Sequence, residues 1–182
     1  MAYYYTPFRN NYNQKKPKTG CVFCDEKNIG KQLIAENKNY RWIVNIFPKF
    51  EGHTMVLPKK HITELGTESG QEIADREKLI VLAAKTLQKL YPHSGVEVFL
   101  QTGEGSESSI KHLHWHVVPS QKGDPLRGFD KLGHFFTMEE GKPRILVFPV
   151  PIKRARSGLL KALSKILGRK DGRNESRDNG RR

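Results

Sequence analysis

The chain has 182 residues, of which 36% are hydrophobic and 28% charged, so it holds enough apolar material for one domain core. Its formal net charge is +13, and a positive charge attracts phosphate-bearing ligands without indicating which kind. The first residues lack the continuous apolar segment of a secretory signal, and no apolar run approaches the ~20 residues that span a bilayer. We therefore expect a cytoplasmic protein.

The composition along the chain predicts three regions. Residues 1–20 are rich in Tyr, Asn, Lys and Pro and are predicted to form an irregular N-terminal arm. Residues 21–152 are predicted to form the folded domain, because hydrophobic periodicity is concentrated there. Residues 153–182 are predicted to form a basic tail.

The domain itself reads as several strands and one main helix. Residues 71–91 predict that helix, because apolar residues recur near the helical period and Pro92 follows. Apolar segments bounded by turn-forming residues predict strands over 40–47, 53–58, 96–101, 111–119 and 144–150. Strands with one main intervening helix indicate an α+β domain with a mostly antiparallel sheet.

The tail carries most of the net charge, since residues 151–182 hold 11 Lys and Arg against 3 Asp and Glu. Residues 157–170 predict a short amphipathic helix. Its apolar stripe consists of Leu159, Leu160, Leu163, Ile166 and Leu167. The polar residues that follow are predicted to be disordered. The tail therefore either docks on the domain or stays disordered, binds nucleic acid, or lies on an anionic surface such as a membrane.

The segment "KHLHWHVVPS", residues 111–120, has a histidine at every second position. Alternate side chains of an extended chain share a face, so His112, His114 and His116 line one face. Largely neutral imidazoles suit nucleophilic, acid–base or metal-ligand chemistry. Two mechanisms fit these residues. A His-x-His pair can hold a catalytic zinc ion whose bound water attacks the substrate, or an imidazole can attack phosphorus itself.

The histidine segment resembles a known family. "HLHWHVV" fits the His-x-His-x-His pattern, followed by two apolar residues, of the histidine triad family of nucleotidyl hydrolases and transferases. Upstream, "VNIFPKFEGHTMVLPKKHITEL" is similar to the other signature of that family. The opening "YTPFRNNY", followed by "GCVFC", is similar to the bacterial branch related to diadenosine polyphosphate phosphorylases. The resemblance covers about residues 3–120 and implies the histidine triad fold and a homodimer.

The resemblance also implies a two-step transfer. His114 would attack the α-phosphorus of a bound nucleotide, and water or inorganic phosphate would then take the nucleotide from the nucleotidyl-histidine. His116 is expected to polarise the phosphate or to assist the leaving group. His112 is expected to orient the strand, to bind metal, or both.

Four further residues are expected to bind the substrate or support the site. They are Asn45, His53, Gln101 and Ser109. Ser109 matches the phosphate-binding serine of the family, and Asn45 matches the position that contacts the ribose hydroxyls. Gln101 stands where many relatives have Asn near the phosphates. His53, in "GHTMV", matches a histidine that supports the site from the neighbouring strand.

The cysteine pair predicts a metal site. Cys21 and Cys24 form a C-x-x-C motif, which in a reducing compartment indicates metal or redox chemistry more often than a structural disulfide. In bacterial relatives with this motif, the histidine of Pro-Lys-x-His and the first triad histidine complete a zinc site, which here implies His61 and His112. Four protein ligands leave no open position, so the zinc would be structural. Mg²⁺ bound with the substrate is left open.

The sequence therefore predicts an enzyme that cleaves dinucleoside polyphosphates or adenylated phosphate conjugates through a nucleotidyl-histidine. Water and phosphate both stay open as acceptors, because Ser120 and Gln121 stand where phosphorylase-like relatives often have Arg and an aromatic residue. The first alternative is a zinc-dependent hydrolase with its metal on the triad. The second is a non-catalytic module that binds nucleotide or nucleic acid. His93 and His134 are expected to lie in loops without a role.

Overall fold

The computed structural model describes residues 3–4, 20–106, 108–124, 147–148 and 152–168. Its helices are α1 (Glu26–Gln32), α2 (Gly70–Leu90) and α3 (Ile152–Ile166). Its strands are β1 (Tyr3–Tyr4), β2 (Leu33–Glu36), β3 (Tyr40–Val44), β4 (Thr54–Pro58), β5 (Ser94–Leu100), β6 (Trp115–Gln121) and β7 (Val147–Phe148). A short 3₁₀ helix spans Glu104–Ser106.

Five of the strands form one sheet in the order β2-β3-β4-β6-β5. Every neighbouring pair in this sheet is antiparallel. The predicted α+β class, with an antiparallel sheet and one main helix, is confirmed. Strand β1 lies in the predicted arm, and strand β7 lies in the last predicted strand, 144–150. These two short strands pair in parallel.

Helix α2 begins at a cap that Ser69 and Glu72 form. The Ser69 side chain accepts a hydrogen bond from the Glu72 amide, and the Glu72 carboxylate accepts one from the Ser69 amide. This reciprocal cap satisfies amides that have no partner within the helix. The face that carries Leu79, Ala83 and Leu87 is buried against the sheet.

The two faces of the sheet carry separate apolar clusters, because side chains alternate along each strand. The larger cluster joins the sheet to α2 and α3, and its strand residues include Tyr40, Trp42, Val44, Val56, Trp115 and Val117. The smaller cluster lies on the opposite face and consists of Phe23, Ile29, Ile43, Met55 and Leu57. The histidine side chains share this second face with α1, away from α2.

The sequence pattern predicts neither α1 nor β2, and it predicts neither β1, in the arm expected to be irregular, nor the 3₁₀ helix. Helix α1 has the sequence "EKNIGKQ", with Ile29 as its one large apolar residue, so it shows no helical period. Its start is marked instead by Asp25, whose carboxylate accepts hydrogen bonds from the amides of Lys27 and Asn28. Strand β2 follows α1 directly and pairs with β3. The strand predicted over 40–47 ends at Val44.

Helix α3 begins at Ile152, earlier than the predicted start at residue 157. Leu159 and Leu163 of the predicted stripe are buried in the larger cluster, and Ala162 is buried as well. Ile166 and Leu167 are 36% and 46% exposed, so the end of that stripe is not buried. The segment predicted to be disordered after residue 170, and His134, lie outside the described residues. Within the described residues, no helix is long and apolar enough to cross a membrane.

Candidate functional site

The three triad histidines are buried on the face of the sheet that carries α1. Their side chains are 2%, 6% and 4% exposed for His112, His114 and His116. Leu113 and Trp115 point the other way, into the larger cluster. The predicted alternation is therefore present, although strand β6 begins only at Trp115 and the first two histidines lie before it, with His112 in a bend.

The ring of His114 is held by its own chain. Its Nδ1 lies 2.7 Å from the carbonyl oxygen of His112, which can only accept a hydrogen bond. Nδ1 therefore carries the proton, and Nε2 of the neutral ring carries the lone pair. The ring of Phe23 packs edge-on at 5.1 Å between centroids and limits the movement of the imidazole.

His116 is hydrogen-bonded to His53, on the side of its ring away from the cavity. The Lys49 amide donates to Nδ1 of His53 at 3.2 Å, so the neutral His53 ring carries its proton on Nε2. That Nε2 lies 2.8 Å from Nδ1 of His116 and donates to it. The neutral His116 ring must then carry its own proton on Nε2. Phe99, its neighbour on β5, stacks on this ring at 4.8 Å.

A cavity of about 280 Å³ opens in front of these rings. It is lined by Val22, Phe23, Asn28, Lys31, Gln32, Asn45, Ile46, Phe47, Lys49, Met55, Gln101, Ser109, Ile110, His114 and His116. The predicted substrate-binding residues Asn45, Gln101 and Ser109 lie in this wall. His53 does not, because its ring is engaged behind His116.

The hydrogen bonds of two wall residues fix the direction of their amides. Asn45 Oδ1 accepts from the Phe47 amide at 2.8 Å, which turns its Nδ2 the other way. Gln101 Nε2 donates to the Ser106 carbonyl at 2.5 Å. The amide of Gln101 thus holds the loop that leads to the triad as well as lining the cavity.

Several wall residues were not predicted from the sequence. Asn28, Lys31 and Gln32 come from α1, which was not predicted, and Phe23 reaches His114 across 91 positions of the chain. Lys49 is the most unusual of them, since its side chain is only 6% exposed. In the sequence, Lys49 stands out only as a cationic residue in the turn before "GHTMV", a position that is compatible with ligand binding.

The predicted metal ligands come together beside the cavity. One donor atom each from Cys21, Cys24, His61 and His112 lies within 4.8 Å of the other three. His112 Nδ1 is 3.4 Å from Cys21 Sγ, 3.6 Å from Cys24 Sγ and 3.2 Å from His61 Nδ1. Cys24 Sγ is 3.5 Å from His61 Nδ1.

These separations fit a tetrahedral zinc ion. Zinc–sulfur bonds of about 2.3 Å and zinc–nitrogen bonds of about 2.0 Å give tetrahedron edges of roughly 3.5 Å between sulfur and nitrogen and roughly 3.3 Å between two nitrogens. The four measured edges agree with these lengths. His112 is oriented for the task, because its Nε2–H donates to the Pro58 carbonyl at 3.0 Å and leaves Nδ1 as the ligand atom.

The surroundings shift the pKa values of two of the four ligands. Burial lowers the pKa of His112 to about 4, so its imidazole is neutral near pH 7. Burial, together with the neighbouring Cys21, raises the pKa of the Cys24 thiol to about 11. A divalent ion between the two sulfurs would stabilise both cysteines as thiolates.

The triad does not form a second metal site among the described residues. Nδ1 of His114 is bonded to a carbonyl, Nδ1 of His116 to His53, and Nδ1 of His112 points to the cysteines. The three rings therefore offer no common point for one ion. Across the described ranges, the Cys₂His₂ group is the one set of at least three such donors that could hold a metal.

Comparison with known proteins finds related sequences. The HIT domain family model matches residues 26–123, more than half of the chain. An uncharacterised HIT-like protein of Mycoplasma genitalium is 29% identical over 118 residues, which cover 64% of this chain and 82% of the relative. The asymmetrical bis(5'-nucleosyl)-tetraphosphatase of Schizosaccharomyces pombe is 24% identical over 96 residues, which cover 53% of each protein.

A solved structure shares the fold. The crystal structure of a zinc-bound histidine triad family protein from Mycobacterium smegmatis superposes with a TM-score of 0.62 and 24% identity, covering 82% of this chain and 96% of that one. The predicted family is confirmed by the extent of the sequence match. The chain belongs to the HIT domain family.

Proposed function

We propose that this protein transfers or hydrolyses nucleotidyl groups, with Nε2 of His114 as the nucleophile that attacks the α-phosphorus. The observation that carries the proposal is the hydrogen bond from His114 Nδ1–H to the His112 carbonyl. Because Nδ1 holds the proton, the lone pair of the neutral ring is on Nε2, and His114 lines the cavity. Nitrogen of this kind forms a covalent intermediate and splits one difficult displacement into two easier ones.

In the first step, the bond between His114 Nε2 and phosphorus forms, and the bond from phosphorus to the leaving phosphate breaks. The ring gains positive charge as it is nucleotidylated. The His112 carbonyl stabilises that charge, because its oxygen accepts the Nδ1–H hydrogen bond. The leaving phosphate departs as an anion, and His116 Nε2–H donates a hydrogen bond to the oxygen that takes up the charge.

In the second step, water attacks phosphorus, the nitrogen–phosphorus bond breaks, and His114 recovers its lone pair. The proton of the attacking water passes to solvent. Inorganic phosphate is the other acceptor that the sequence left open, and it would give a nucleoside diphosphate instead of a monophosphate.

We propose dinucleoside polyphosphates or adenylated phosphate conjugates as the substrate class. One relative is named as a bis(5'-nucleosyl)-tetraphosphatase, and the cavity combines apolar side chains with two lysines. Phe23, Ile46 and Phe47 offer an apolar surface for a base, and Asn45 an amide for the ribose hydroxyls. Ser109 and Gln101 are proposed to bind the phosphates, and Lys31 and Lys49 add positive charge to the wall.

We propose that the Cys₂His₂ cluster binds structural zinc. Four protein ligands complete a tetrahedral shell, so the ion ties the segment around Cys21 to the residues before β6 and takes no part in the transfer. Mg²⁺ has less support, since none of the described wall residues carries a carboxylate. The homodimer implied by the resemblance stays a prediction that sedimentation of the purified protein tests.

The experiment is a single-turnover reaction with diadenosine tetraphosphate labelled at the α-phosphorus. Rapid quenching in base, where phosphorus–nitrogen bonds on histidine persist, is expected to trap label on His114. Product analysis with and without inorganic phosphate then distinguishes AMP from ADP and so identifies the acceptor.

The two rival functions give different results in the same assay. A zinc hydrolase with its metal on the triad would lose turnover at once when a chelator removes the ion, without any labelled adduct. A histidine nucleophile would still turn over while the fold survives. A non-catalytic binding module would give neither adduct nor product, and either result overturns the proposal.

A further inference from the structure

The layer of helices on the far side of the sheet from the triad is strongly cationic. Helix α3 and the two residues after it, 152–168, contain five Lys and Arg and no Asp or Glu. Those five are Lys153, Arg154, Arg156, Lys161 and Lys165. The half of α2 that ends at Leu90 adds Lys85 and Lys89, again without an acidic residue after Glu77.

The two cationic segments belong to one surface. Helices α2 and α3 pack together, and Leu90 lies 3.6 Å from the position that a Cβ on Gly158 would occupy. On the strands that α3 contacts, β2 and β3, the acidic residue is Glu36, and Lys59 Nζ lies 3.1 Å from its carboxylate. That carboxylate is already paired.

Helical geometry aligns part of this charge into a stripe. At 3.6 residues per turn, Arg154, Lys161 and Lys165 fall within about 40° of one another around the α3 axis. At 1.5 Å per residue they extend over about 17 Å. All three side chains are exposed. One strand of a nucleic-acid duplex presents a phosphate every 3.4 Å or so, so the stripe runs beside about five phosphates.

The other residues of α3 argue against an anionic membrane and against a single-stranded nucleic acid as the partner. A helix that lies on a membrane inserts a continuous apolar face into the lipid, whereas Leu159, Ala162 and Leu163 of α3 are buried in the protein. Ile166 and Leu167 are the exposed large apolar residues that remain on it. Proteins that hold single strands stack bases on aromatic side chains, and residues 152–168 contain none.

We propose that α3 and the end of α2 form a docking surface for the phosphate backbone of a nucleic-acid duplex, bound without reading its sequence. The surface lies on the face of the sheet opposite the catalytic cavity. It therefore tethers the protein to a polyanion while the cavity stays accessible, and it stands independently of the proposed chemistry.

The test is a titration of a 24-base-pair DNA duplex with the full chain, followed by fluorescence anisotropy. It is repeated from about 50 to about 200 mM salt, because affinity that comes from phosphate contacts falls steeply over this range. The double variant K161Q/K165Q removes two stripe charges, and Gln keeps the helix propensity of Lys. The matched control K27Q/K38Q removes two exposed charges elsewhere, on α1 and in the turn before β3. A duplex RNA, a single-stranded DNA and anionic phospholipid vesicles serve as competitors.

The wild type is expected to bind with a steep salt dependence. K161Q/K165Q is expected to lose at least about tenfold in affinity at 0.1 M salt, and its log–log salt slope to fall by about 1.8, or 0.9 for each phosphate contact. Duplex RNA should compete as DNA does. Equal losses in K27Q/K38Q would show that bulk charge alone matters and overturn the proposal. No binding by the wild type, or stronger competition by the single strand or the vesicles, also overturns it.

Discussion

His53 Nε2 lies 2.8 Å from His116 Nδ1 and joins the segment before β4 to the end of the triad. Because the Lys49 amide donates to the other nitrogen of His53, this pair sets where the proton of His116 resides. The proposed role of His116 as a hydrogen-bond donor to the leaving group therefore depends on His53, a residue that does not touch the cavity.

His53→Leu is expected to lower kcat by about 10²-fold, because the proton of His116 is no longer held on Nε2. His53→Gln keeps an N–H donor at the same place and is expected to recover part of that loss. Nitrogen-15 NMR of His116 checks the tautomer directly in both variants. If His53→Leu keeps both the wild-type tautomer and the wild-type rate, His53 has no positioning role.

Lys49→Gln is expected to raise KM for diadenosine tetraphosphate about tenfold, or ~1.4 kcal/mol, with a smaller effect on kcat. The side chain is only 6% exposed, and its charge acts on an anionic substrate more strongly there than it would in water. Lys38→Gln removes an exposed charge away from the cavity and is the control. An unchanged KM in Lys49→Gln would remove Lys49 from substrate binding.

The elements of the fold that could be predicted are those with a clear period. Helix α2 buries one regular face, and strands β3 and β4 are short, mostly apolar runs that are buried along their whole length, so the positions of all three follow from their hydrophobic residues. Helix α1 could not be found in that way, because Ile29 is its one large apolar residue and its stability comes from the Asp25 cap and from packing on β3. The leucine stripe predicts too late a start for α3, because Ile152 lies more than one turn before it.

The chemistry of the site was predictable from residue types, and its geometry was not. The alternating histidines and the C-x-x-C pair are local patterns, so both clusters could be proposed from the chain alone. Contacts such as those of Phe23 with His114 and of His53 with His116 join residues 91 and 63 positions apart. They depend on the register of the sheet, which pairs Met55 with His116, and no local pattern carries that information.

His114→Ala is expected to lower the single-turnover rate by about 10³-fold or more and to abolish the labelled adduct, because the variant lacks the proposed nucleophile. The dissociation constant for AMP is expected to change little, since the apolar wall and Asn45 remain. Near-normal turnover in this variant would contradict the proposed nucleophile.

Cys24→Ser is expected to reduce the zinc content, from about one ion per chain, and to lower the melting temperature, since a structural zinc site contributes folding free energy. The single-turnover rate below the transition is expected to change much less. His93→Asn is the matched control, because His93 is an exposed residue with φ 62° that Asn also tolerates, and it lies outside the cluster. Metal analysis and thermal unfolding check both variants. Freshly purified wild type without zinc would contradict the site.

Gly52→Ala is expected to destabilise the protein by about 1–3 kcal/mol, because Gly52 adopts φ 74°, where a side chain is strained. A Cβ there would also lie 2.7 Å from Cγ of Pro119 and 2.8 Å from Cε2 of Tyr91. Gly30→Ala is the control, because a Cβ at Gly30 meets no atom within 4 Å and Ala favours a helix such as α1. Urea denaturation is expected to show a lower midpoint for Gly52→Ala and an equal or higher one for Gly30→Ala. Since Gly52 precedes His53, a Gly52→Ala variant that keeps both wild-type stability and wild-type turnover would show that this turn does not position the histidine pair.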